Sequence, residues 1–162
     1  MTLRLTLAFA LLASPAAAEL TLSYVDSAPK DIFEITYTGT CPLPADVLRI
    51  DIGKAPAGLV FDTDPGGAGF NVSQPFEVRR GAGLLTALPT ISDGATSIDL
   101  PLTGLGAGDV IRFTIDVDDT TSASRTRVSG SEMAGAMAAL GAYSARFDAS
   151  ATAIIETPGC FG

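Results

Sequence analysis

The sequence contains no histidine and no tryptophan, and only two cysteines, among its 162 residues. Without histidine the chain cannot assemble a Ser-His-Asp or Cys-His nucleophilic site, nor a zinc centre that uses imidazole, which excludes most hydrolase chemistry. Without tryptophan, and with tyrosine only at Tyr24, Tyr37 and Tyr143, an aromatic-lined sugar cleft is hard to build. A glycosidase-type pair of carboxylates is disfavoured for the same reason. Basic residues are scarce as well: 10 Lys and Arg face 18 Asp and Glu, for a formal net charge of −8. That balance disfavours nucleic acid and anionic membrane surfaces, whose binding needs basic patches. No stretch approaches the roughly 20 uninterrupted apolar residues of a membrane helix.

What is present begins with a leader. "MTLRLTLAFALLASPAAA" has one positive charge at Arg4, an apolar run from Leu5 to Ala13, and Ala16 and Ala18 placed as in an A-x-A cleavage site, the pattern of a secretory signal peptide. Residues 1–18 are therefore expected to be removed, leaving 19–162 as one exported domain, periplasmic or extracellular. Its 144 residues suffice for a sizeable core, and loss of Arg4 takes its net charge to −9. Cys41 and Cys160 are then the whole cysteine complement of an oxidising compartment, and one structural disulfide is the simplest use of them. There is no C-x-x-C, and neither cysteine has a neighbouring basic residue in sequence to acidify it, so a redox role is the weaker alternative.

The mature chain is a series of short runs rich in β-branched and aromatic residues, separated by Gly, Pro, Asp and Ser, the spacing of a sandwich or barrel. "ELTLSYV" and "DIFEITYTG" alternate apolar with polar residues, as a half-buried strand requires. In "VLRIDIG", Leu48, Ile50 and Ile52 share one side. "GLVFD", "FEVRR", "TSIDLPL" and "DVIRFTIDVDD" continue the pattern, bounded by turns such as "DPGG", "SDG" and "GAGD". The segment "SEMAGAMAALGAYSARFDASATAII" mixes helix formers with Gly135 and Gly141 and then alternates at Tyr143, Ala145 and Phe147. It reads as mostly strand with one helical turn. The expected architecture is all-β: a single antiparallel β-sandwich of seven to nine strands, immunoglobulin-like or jelly-roll-like.

In "FTIDVDDTTS" the alternation puts Phe113, Ile115 and Val117 inward. Thr114, Asp116 and Asp118 then face outward beside Arg112, and Asp119 begins the next loop. Clustered carboxylates of this kind suit a hard cation such as calcium, which takes six to eight oxygens. Two clusters qualify, Asp62 with Asp64 in "FDTDPGG" and Asp116, Asp118 and Asp119 in "DVDDTT", with Glu132 as a further contributor. Neither follows the EF-hand loop. The other reading is that these are polar strand ends that discourage edge-to-edge pairing. "GGAGFNVSQ" resembles one copy of a calcium-binding β-roll repeat, but a single copy builds no roll and reads as a flexible turn; "NVS" within it is a glycosylation sequon by pattern only.

The combination of the leader with "APKDIFEITYTGTCPLP", "GLVFDT", "QPFEV", "IRFTIDVDDT" and "VSGSEMAGA" resembles small exported alphaproteobacterial proteins labelled aggregation factor core protein. The likeness spans nearly the whole mature chain. The unit "LGAGDVIRFTIDVDD" is also similar to units of bacterial cell-surface β-sandwich modules. The leader, the acidic clusters and the missing catalytic residues, together with this resemblance, lead to the expectation of a non-enzymatic surface-association or adhesion protein, with calcium as candidate cofactor and another surface protein or a polysaccharide as candidate partner. The resemblance places Asp116, Asp118 and Asp119 in the strand-end motif and bridges Cys41 to Cys160. A periplasmic module binding a carbohydrate or small molecule is the alternative.

Overall fold

A computed structural model describes residues 18–70, 74–121 and 127–157. The leader lies outside these residues except for Ala18, as do Cys160 and the 71–73 sequon. Among the described residues there are ten strands, one more than the upper expectation, because the ambiguous C-terminal segment breaks into several short ones. The strands are β1 (Ala18–Val25), β2 (Asp31–Tyr37), β3 (Val47–Asp51), β4 (Leu59–Asp62), β5 (Glu77–Arg80), β6 (Ser97–Pro101), β7 (Val110–Asp119), β8 (Met137–Leu140), β9 (Tyr143–Arg146) and β10 (Thr152–Thr157). One helical turn, α1 (Gly130–Met133), precedes β8. No helix among the described residues is long and apolar enough to cross a membrane.

The strands form two antiparallel sheets. One runs β10-β1-β2-β7-β4, with β5 also paired to β7; the other runs β6-β3-β8-β9. Alternation explains the burial: Leu20, Leu22 and Tyr24 of β1, Phe33, Ile35 and Tyr37 of β2, and Leu48 and Ile50 of β3 all point into one apolar cluster shared by both sheets. Phe33 and Phe113 stand opposite each other in the β2–β7 ladder and stack with ring centroids 5.0 Å apart. Phe61 and Phe76 extend this aromatic group beneath β7.

The position of β7 departs from the expectation of an exposed strand end. Residues 110–115 pair with β2 on one side. On the other side β5 pairs with residues 112–114 and β4 with residues 116–119. β7 is therefore paired on both sides only at residues 112–114; beyond Ile115 it pairs with β4 alone, and Asp119 is its last paired residue, opposite Leu59. β4 and β5 lie along the same flank of β7, so they form one strand course interrupted by an excursion whose described residues are 63–70 and 74–76. The excursion leaves and returns at the same point: Gln74 N donates to Asp62 O, and Asp116 N donates to Gln74 O.

Candidate functional site

The excursion is what buries the carboxylates. Asp116 and Asp118 lie on the face of β7 turned away from the apolar core, where the alternation places them. They are only 8% and 2% exposed, respectively. They are thus not solvated, which departs from the reading of them as solvated strand ends, while this stretch of β7 is paired on the β4 side alone. Asp62 stands directly opposite Asp116 in the β4–β7 ladder and shares that face, with 1% exposure. The glycine-rich turn covers all three, and Phe70 N donates to Asp118 Oδ2. A β-carbon at Gly69 would overlap the Asp62 carboxyl, and one at Gly67 would overlap Asp93 Oδ2. Glycine at these positions lets backbone close directly over carboxylates. Residues 66–70, expected to form a loose turn, are thus a fitted cover.

The buried charges are incompletely compensated. Both oxygens of Asp62 are inaccessible to solvent and lack a hydrogen-bond partner of ordinary geometry, as does the buried hydroxyl of Thr114 on the same face of β7. Asp62 is pushed above the usual carboxylate range by burial and then by the charge of Asp93. Burial raises Asp116 to about 7, with the charges of Asp118, Asp31 and Asp62 adding to it. Burial likewise lifts Asp118 to about 6 against the Phe70 N–H, which favours its ionised form.

Two further carboxylates stand outside the expected ligand set. Asp31 opens β2 and accepts from Val117 N at 2.9 Å and Ser27 N at 3.0 Å, which closes the end of the β2–β7 ladder. Burial pushes it up to about 7 even so. The hydroxyl of Tyr24, buried near Asp31, is driven upward by its own burial and by that carboxylate. Asp93, in the "SDG" turn, accepts from the backbone N–H of Thr63, Asp64 and Ala68. It is held below the usual range mainly by Ala68 and Thr63. Asp31 begins an alternating strand and Asp93 precedes a turn glycine, ordinary local roles that carry no sign of these long-range contacts.

Not all the expected ligands gather here. Asp64 is exposed on the excursion, where its backbone serves the turn. Asp119 Oδ1 accepts from Thr121 N and Oγ1. Glu132 Oε2 accepts from Ser129 N and Oγ while Ser129 Oγ accepts from Glu132 N, a capping box that starts α1. Among the described residues, no three acidic or cysteine side chains converge in the arrangement of a formed metal centre. A small open cleft of about 110 Å³ lies beside the group, lined by Ala68, Gly69, Phe70, Asp118, Asp119 and Thr120. No protein-family model matches the chain, and neither does any curated protein or solved structure.

Proposed function

We propose that this is an exported, non-enzymatic β-sandwich acting in cell-surface association, in the manner of the aggregation-factor-like proteins it resembles, with calcium as its cofactor. The observation that supports it best is the set of acidic side chains collected under a fitted glycine-rich cover on the outer face of a sheet. Carboxylates placed so, in a chain without histidine, suit charge compensation by a cation better than acid–base turnover. The disulfide between Cys41 and Cys160 belongs to the same reading of an oxidising compartment. Beads coated with the protein should clump in millimolar calcium and disperse in chelator. Beads that stay dispersed in both conditions would remove the association role.

A second reading, a carbohydrate-binding module, is favoured by the cleft alone. Its walls join carboxylates and Thr120 to the ring of Phe70, which is 44% exposed. A sugar presents the matching combination of polar edge and apolar face. Retention on immobilised neutral polysaccharide, lost in Phe70→Ala, would favour this reading over association.

A further inference from the structure

The geometry points to a single hard-cation site, of calcium character, built from the carboxylates of Asp62, Asp116 and Asp118 beneath residues 67–70. This deepens the calcium part of the function proposed above by assigning it to particular oxygens.

The pairing register sets the site's composition. Asp62 and Asp116 are cross-strand partners, and Asp118 follows two residues along the same face of β7. Adjacent positions on one face of a sheet lie close enough for their side chains to interact. The two-residue repeat therefore makes a compact triad of like charge, one that sequence distance alone would not reveal. The group is almost wholly enclosed, and among the described residues no basic side chain pairs with it: the five ion pairs there all involve other acids.

Two observations separate this triad from an ordinary acidic patch. Asp62 is enclosed with neither oxygen in a hydrogen bond of ordinary geometry, only looser contacts with Phe70, Asp64 and Asp118, and Thr114 Oγ1, on the same face two residues before Asp116, is enclosed without such a partner too. An enclosed acceptor without a donor is destabilising unless something compensates it. Donors from the protein already serve the surrounding carboxylates, namely Phe70 N on Asp118 and the three backbone N–H groups on Asp93. What the triad lacks is positive charge with no preference for direction. Calcium fits because it accepts irregular oxygen sets and tolerates variable coordination number, whereas magnesium demands a near-ideal octahedron. The carboxylates stand as neighbours rather than converged on one point, so binding would draw them together and fix the cover above them.

The test is calcium titration of the chelator-stripped protein by calorimetry, alongside thermal melts, for the native sequence and three variants. The native protein should bind one calcium and melt higher in its presence, with magnesium at least tenfold weaker. Asp62→Asn should reduce calcium affinity at least tenfold. Because it removes an uncompensated charge at nearly constant shape, it should also raise the melting temperature of the stripped protein, a gain that a misfolded variant could not show. Asp64→Asn and Glu132→Gln should bind calcium as the native protein does. The assignment is overturned if the native protein gives neither heat nor melting shift at millimolar calcium. It is equally overturned if Asp62→Asn binds unchanged, or if Asp64→Asn loses as much affinity. Calcium binding with this pattern upholds the site even if coated beads fail to clump, in which case only the association role falls.

Discussion

The fit between Gly69 and Asp62 is the tightest constraint at the scale of single residues. A β-carbon at Gly69 would overlap the Asp62 side chain from its Cβ to its carboxyl, within an enclosed site. Gly69→Ala is therefore expected to destabilise the protein by about 1–3 kcal/mol, the usual range for forcing an extra carbon into a packed site. Gly83→Ala is the control, since nothing lies within 4 Å of a β-carbon there and its backbone is not left-handed. It should change stability by less than about 0.5 kcal/mol. Urea unfolding of both variants decides the matter, and equal, small effects would mean that the cover yields. The chemistry of position 69 was invisible in the sequence because glycine in "DPGGAG" is sufficiently explained by a turn. Only the carboxylate beneath it distinguishes a required glycine from a permitted one.

At the scale of elements, β7 shows both what alternation reveals and where it stops. Phe113, Ile115 and Val117 were legible as core, and Asp116 and Asp118 as belonging to the opposite face, because side chains must alternate across a strand. The burial of that opposite face was not legible. It depends on residues 63–70, more than forty positions away in the chain, folding back over it, and on β4 and β5 sharing one flank of β7. The same enclosure gives the element a pH dependence. Asp31 sits at about 7 in the folded protein against an ordinary 3.8. From about pH 4 to pH 7 the folded state thus keeps a proton that the unfolded chain has released. Stability must then fall as pH rises through that window and level off above it. Asp116, raised in the same direction, steepens the fall. In the absence of calcium the melting temperature should therefore be higher at pH 5 than at pH 8. Asp31→Asn, which keeps one acceptor for the Val117 or Ser27 N–H, should flatten the difference. A melting temperature that climbs over this interval would contradict the account.

At the scale of the whole molecule, the two ends of the described chain meet in one sheet. Ala18 pairs with Thr157, and Thr157 Oγ1 donates to Ala18 O at 3.0 Å. On the other side of β1, Leu20 pairs with Tyr37 and Thr38 N donates to Glu19 O. The end of β10 and the end of β2 therefore lie on the same border of the sheet with only β1 between them, roughly 10 Å apart at about 4.8 Å per strand. Tyr37 Oη donates to Cys41 O, and the ring of Tyr37 fills the space that a side chain at Gly39 would need, so the turn carrying Cys41 is pinned to this border. Cys160 follows Thr157 by three residues in the sequence, over which an extended chain reaches about 10 Å, and the bridge to Cys41 is proposed on that spacing. Such a bridge would close a loop of 118 intervening residues and, in the chain-entropy model, stabilise the fold by about 4–5 kcal/mol. The expected result is that the oxidised protein has no titratable thiol under denaturing conditions. Cys41→Ser should lower the unfolding midpoint to that of the reduced native protein, with no further drop on adding reductant. If the native protein releases two thiols without reductant, or if reduction leaves its midpoint unchanged, then the β1–β10 pairing alone holds the termini together.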